Sequence, residues 1–207
     1  MVGETRSKVF VARLAELGWG RMFVDRPPCP FPFERWGFDN QAFIAWRNGT
    51  EWNGDAYLKR LEAAMLANSD PYLAVTPDIV AAGLKSLHHS IDWRMNQLRD
   101  VDWPWYLAVQ DGMTREDVKP YLHLFQGLFL GGSDAFKSTA RRWADLSHDN
   151  GLKFHYGRAG TPGKLVSAFK SGCDSCDSAF PLWTKERMKI FAWRWQGLAE
   201  QKMMEFT

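Results

Sequence analysis

Short apolar runs that end in an acid or an amide, each followed by an amphipathic stretch, recur along this chain. That rhythm constrains its fold more than any other feature. Strand candidates are Arg21–Val24, Trp36–Asp39, Tyr72–Val75, Trp105–Val109, Leu128–Leu130, Lys153–Tyr156 and Cys173–Asp177. Helical patterns lie between them. Asp55 is placed to cap a helix carrying Leu58, Leu61 and Met65, and Val80, Leu84, Leu87, Ile91 and Leu98 mark a second stripe at helical spacing. Thr114 and Asp117 have capping-box spacing. Phe136, Ala140 and Trp143 continue the pattern to a stop at Gly151. Thr161–Pro162 starts a further helix that Gly172 ends, and the last begins near Lys185 with Met188, Phe191, Trp195 and Leu198 facing inward. Strand and helix in alternation predict an α/β fold with a parallel sheet.

Two architectures compete for such a pattern. A doubly wound sheet usually carries a glycine-rich loop after its first strand, and none is present. A TIM-type (β/α)8 barrel draws its active site from the C-terminal ends of many strands, which matches the polar tips. The expectation is a single compact barrel domain over residues 1–207. Its eighth strand would be missing, irregular, or hidden in the proline-rich stretch Pro27–Pro32, which reads more simply as a loop.

Composition narrows the class without naming a function. With 207 residues, 45% of them hydrophobic and 24% charged, the chain can build one ordinary globular core. No apolar run of about 18 residues occurs, so no membrane span is expected, and the polar Met1–Lys8 lacks the apolar centre of a signal peptide. Three cysteines fit a reducing compartment better than a disulfide scaffold. Cys173-x-x-Cys176 has no second pair to complete a zinc site, so no metal and no cofactor are expected. A net charge of +2 does not by itself imply a nucleic-acid partner. Eleven tryptophans read mostly as packing residues, with Trp36 and Trp46 as candidates for stacking on a base.

Carboxylates at the ends of buried strands are costly unless they do chemistry. Asp177 and Asp174 lie three apart on the last strand, so only one of them can face a barrel mouth. Asp39, in Phe38-Asp39-Asn40-Gln41, fits either a site residue or an Asx turn. Asp78 fits a site residue or a helix N-cap. Gln110, in Val109-Gln110-Asp111-Gly112, offers the donor and acceptor that suit reading a base edge. Gly131 and Gly132 either expose backbone N–H groups to a ligand or form a turn. His155 and Arg158 end a strand and are placed to line the mouth.

The order and local sequence of six of these segments resemble the tRNA-guanine transglycosylase superfamily. They are Asp39-Asn40-Gln41-Ala42-Phe43, Val75-Thr76-Pro77-Asp78, Val109-Gln110-Asp111-Gly112-Met113, Phe129-Leu130-Gly131-Gly132-Ser133, His155-Tyr156-Gly157-Arg158 and Asp174-Ser175-Cys176-Asp177. The likeness runs from about Trp36 to Thr184 and is closer to the short, phage-type DNA 7-deazaguanine transglycosylases. It implies a (β/α) barrel that exchanges guanine in a nucleic acid for a 7-deazaguanine, with Asp177 as nucleophile and Asp39 as general acid/base. Asp78, Gln110, Gly131 and Gly132 would read the base. The resemblance also implies a cytoplasmic enzyme, in the host cytoplasm if phage-encoded.

Two departures lean toward DNA as the partner. The tRNA enzymes carry a C-terminal zinc subdomain with no counterpart in this sequence, and a glycine pair where this chain has Asn40-Gln41. Arg158, Lys185 and Arg187, with Arg141, Arg142 and Lys189, are candidates for phosphate contacts, though each also fits a solvated helix face. A tRNA enzyme, a base-releasing glycosidase and a catalytically silent DNA- or deazapurine-binding barrel are the alternatives.

Overall fold

A computed structural model describes residues 1–67 and 69–204, with side chains as far as Gln201. The strands are β1 (Met22–Phe23), β2 (Gly37–Phe38), β3 (Leu73–Val75), β4 (Trp105–Val109), β5 (Gly127–Leu130), β6 (Lys153–Tyr156) and β7 (Ser175–Cys176). Around them run α1 (Lys8–Glu16), α2 (Ala42–Arg47), α3 (Gly54–Met65), α4 (Leu84–Met95), α5 (Arg115–Val118), α6 (Asp134–Lys137), α7 (Ala140–Asp149), α8 (Pro162–Lys170) and α9 (Lys185–Met204). Each strand falls on one of the predicted segments, β7 on the small-residue stretch Cys173–Asp177. The strands form one curled sheet in sequence order, every neighbouring pair parallel. The architecture is α/β and compatible with a TIM-like fold.

No eighth strand lies between β7 and β1 among the described residues. A single residue occupies that place. Val2 bridges in parallel to Arg21 on one side and to Ser178 on the other. Its N–H donates to Gly20 O at 2.8 Å, and its carbonyl accepts from Met22 N at 2.7 Å. The Pro27–Pro32 stretch is a loop, pinned by a buried guanidinium. Arg21 donates to both carboxylate oxygens of buried Glu34, at 2.8 and 2.7 Å, and to Cys29 O at 2.8 Å.

The sheet has an apolar layer on each face. Residues two apart point the same way along a strand. Met22, Leu73, Val75, Tyr106 and Ala108 form a small inner cluster, with Phe129 against it. Phe38, Ala74, Trp105, Leu107, Val109, Leu128 and Phe154 point outward into the larger core beneath the helices. The inner space is tight. A Cβ on Gly127 would sit 2.4 Å from the Tyr106 ring, so the glycine makes room for the tyrosine. The same alternation sends Asp39, Gln110 and Asp177, each an even step beyond an inward position, toward the inner face at the strands' C-terminal ends.

Helix ends follow local chemistry where no tertiary contact intervenes. The Thr114–Asp117 capping box forms. Thr161 caps α8 with Pro162 behind it, and Gly151 and Gly172 follow their helices with φ +70° and +82°. Four expectations need correction. Asn53, not Asp55, caps α3, its side chain accepting from Ala56 N. The stripe from Val80 begins a helix only at Leu84. The pattern through Phe136 and Trp143 is two helices, α6 and α7. On α9, Met188, Phe191 and Leu198 are buried as expected, but Trp195 is 39% exposed.

Candidate active site at the C-terminal strand ends

Asp39, Asp78, Gln110, Gly131, Gly132, Arg158 and Asp177 all follow the C-terminal ends of strands β2 to β7, and parallel strands bring those ends to one edge of the sheet. Asp174 precedes β7 and lies at the other edge. There it accepts from Lys153 Nζ at 3.1 Å and Phe154 N at 2.8 Å, and meets His148 Nε2 at 2.9 Å. It is a structural anchor for β6 and β7.

Asp177 is held as an anion. Its Oδ1 accepts from Arg158 N at 2.9 Å and from His155 Nε2 at 3.1 Å. Burial alone would raise its pKa, but the His155 and Arg158 contacts outweigh burial and hold it below the usual carboxylate range. His155 is fully buried and stacked on Phe129 at 4.8 Å. Burial lowers its pKa, so the ring is neutral near pH 7. The Asp177 carboxylate can only accept, so the ring proton sits on Nε2, and Nδ1 is the acceptor in its 2.8 Å contact with Ser175 Oγ. Asp177 Oδ2 has no partner among the described residues.

Asp39 is pushed the opposite way. Burial raises its pKa and the Asp177 charge adds to the rise; the Arg60 charge and one backbone hydrogen bond oppose it. That bond, Gln41 N to Asp39 Oδ1 at 2.7 Å, is an Asx turn, with Gln41 at φ +65°. The turn and a site role coexist, because Oδ2 is left over. Arg60 positions the segment. It donates to Asp39 O at 2.9 Å and to Val24 O, and its guanidinium lies 5.0 Å from the Phe38 ring centroid.

Asp78 is not an N-cap. It stands at the hub of a polar network. Its Oδ1 accepts from Asn40 Nδ2 at 2.7 Å, and its Oδ2 from Gln110 Nε2 at 3.3 Å. Burial raises its pKa to about 6. Gln110 is buried and spends its amide on the protein. Nε2 also donates to Ser86 Oγ at 2.7 Å and Ile79 O at 3.0 Å, while Oε1 accepts from Ala81 N at 2.5 Å. It therefore supports Asp78 instead of presenting a free amide edge. Gly131 N donates to Val109 O at 2.9 Å, and Gly132, at φ +75°, lines the adjoining cavity.

A cavity of about 550 Å³ opens beside this cluster, walled in part by Phe43, Trp46, Gln110, Gly132, Lys137 and Arg158. The three aspartates are not in its wall. They adjoin it through Gln110, bonded to Asp78, and Arg158, bonded to Asp177. The Arg158 guanidinium lies 4.0 Å from the Phe43 ring centroid and donates to Gly132 O at 3.1 Å. Trp46 is 55% exposed, whereas Trp36 is fully buried and packs in the core. Of the two stacking candidates, only Trp46 is at the site.

The basic candidates divide. Lys185 is exposed at the start of α9, and Arg187 covers the Phe180 and Trp183 rings at 5.1 and 4.5 Å. Arg141 pairs with Asp145. Asn40, Arg60 and Lys137 are the site residues that sequence reasoning passed over. Asn40 alone had a signal, its place beside Asp39. Among the described residues no three His, Cys, Asp or Glu side chains group as metal ligands, and no helix is long and apolar enough to cross a membrane. No protein-family model matches the chain, and no curated protein matches it.

Proposed function

We propose that the chain is a DNA-guanine transglycosylase that exchanges guanine for a 7-deazaguanine base, on a barrel whose eighth position is the Val2 bridge. One observation carries the reading. Two aspartates at one strand-end edge have their pKa values pushed apart, Asp177 down and Asp39, which feels the Asp177 charge, up. Paired groups held apart in this way divide into an anion and a proton carrier. Each also keeps one oxygen tied and one free among the described residues.

In the first step Asp177 Oδ2 bonds to the sugar C1′ as the C1′–N9 bond breaks. The bond's electrons pass to guanine N9, and protonated Asp39 supplies the proton that neutralises the leaving base. In the second step the Asp39 carboxylate takes the N9 proton of the incoming deazaguanine. N9 then bonds to C1′, and the C1′–Oδ2 bond breaks to restore the Asp177 anion. Asp78, supported by Asn40 and Gln110, is the acceptor for the N–H groups on the base edge. Trp46, at the rim, offsets part of the cost of unstacking the target nucleotide.

The test is incorporation of a labelled 7-deazaguanine into matched DNA and tRNA, alongside release of labelled guanine. The expected result is labelled DNA, guanine release that depends on the deazapurine, and a covalent protein–DNA adduct that Asp177→Asn does not form. Asp39→Asn is expected to slow turnover by about 100-fold or more. Labelling of tRNA alone would move the substrate to RNA. Release without the deazapurine would make the chain a base-releasing glycosidase, and no release would leave a binding protein.

A further inference from the structure

The cavity beside the carboxylates contains a charge that the exchange chemistry does not use. The Lys137 side chain is buried at the edge of the sheet, with the residue 6% exposed. An ammonium has three donors. Lys137 Nζ donates one to Gly157 O and lies 5.2 Å from the Tyr156 ring centroid. No carboxylate among the described residues lies within ion-pair distance of it. A buried charge without a counter-ion is strongly unfavourable.

Its nearest charged surroundings make matters worse. Arg158 and Lys164 stand in the same cavity wall. Burial, then the Arg158 charge, then the Lys164 charge lower the pKa of Lys137 to about 8, with Asp177 and Asp134 opposing. Lys164 is engaged only at the surface, 2.7 Å from an Asp134 side chain that is 74% exposed. Such a surface pair is worth little and exchanges readily. Three cations thus converge on one wall that also holds two carboxylates, Asp134 and the Ser133-bonded Asp111, and two aromatic rings, Trp46 and the Phe43 ring under the Arg158 guanidinium. Cations against stackable rings are the chemistry that holds a nucleotide.

We propose that Lys137, Lys164 and Arg158 form a phosphate site that seats a phosphodiester of the substrate strand next to the nucleotide being exchanged. This rests on the nucleic-acid substrate proposed above. It shifts the principal phosphate contact away from Lys185 and Arg187, neither of which lines the cavity beside the carboxylates. Arg158 then links the two subsites, its side chain in the phosphate wall and its N–H on Asp177.

The experiment measures binding of a labelled guanine-containing deoxyoligonucleotide over a salt series. The proteins compared are wild type, Lys164→Gln, Lys137→Met, the double variant Lys185→Gln/Arg187→Gln, and Lys153→Gln as a control at the opposite edge. Lys164→Gln, at a half-buried position, is expected to keep the fold, to weaken binding by about threefold to tenfold, and to reduce the salt slope by about one. A neutral methylphosphonate linkage next to the guanosine should reproduce the loss in wild type and add nothing in Lys164→Gln. The same pattern with a ribo-oligonucleotide also supports the site. Wild-type affinity and slope in both lysine variants would overturn it. So would failure of the wild type to bind any oligonucleotide. Loss of binding in Lys164→Gln without base exchange in wild type would keep the phosphate site and reject the transglycosylase reading.

Discussion

Asp39 and Asp177 are one residue type in two surroundings, and the surroundings assign their chemistry. Asp177 owes its anionic state to donors, of which His155 is the removable one. His155→Phe should keep the stack on Phe129 but raise the Asp177 pKa. The acidic limb of the exchange rate should then move toward neutral pH, and His155→Gln, which restores a donor, should move it back. An unchanged pH profile would mean that His155 only packs. Asp78 makes a second pH prediction. Its folded pKa of about 6 lies above the ordinary value of about 3.9. Its contribution to stability is therefore full below about pH 4 and is lost as pH rises through 6. Asp78→Asn should be more stable than wild type at pH 8, on the order of 1–2 kcal/mol after allowing for a poorer contact with Gln110, and the gain should vanish near pH 4. Thermal melts at the two pH values decide it. Asp39, Asp78 and Asp177 were legible because a polar residue after an apolar run marks a strand end. Lys137 was not, because nothing local separates a lysine folded under a sheet edge from one in solvent.

Elements were legible in proportion to how locally they are determined. Six strands announce themselves by runs with apolar residues and β7 by the small, acid-bearing stretch Cys173–Asp177, and Thr161 and Thr114 cap their helices by contacts within four residues. The start of α4 was misplaced because Thr76–Gly83 answers to a distant side chain. Ala81, at φ +60°, gives its N–H to Gln110, and Ile79 gives its own to Ser86. Those bonds outcompete the helix that the apolar stripe favours. The β5–α6 turn is set the same way. At Gly132, φ is +75°, and a Cβ would lie 2.6 Å from Asp111 Oδ2 and 3.0 Å from Phe136. Asp111 in turn accepts from Ser133 N at 2.7 Å. Gly132→Ala should destabilise the fold by about 1–3 kcal/mol, read as a lower urea midpoint. A neutral effect would show that this turn is free to rearrange.

At the scale of the molecule, sequence order and sheet order coincide, so most of the fold is built from neighbouring βα units. The exception could not be read in advance, since one bridging residue leaves no apolar run. Val2 joins the residue before β1 to the residue after Asp177, tying the first and last strands of the sheet. Pairings so distant in sequence carry the largest loop-closure cost and tend to form late. During refolding, the helices and the β1–β7 order should therefore be established before the seam between Arg21 and Ser178 shuts. Asp177 sits next to that seam, so a chain arrested with it open would have its tryptophan core assembled and its proposed nucleophile out of register. Adduct formation should thus recover more slowly than tryptophan fluorescence after dilution from urea, and Val2→Gly should widen the interval between them.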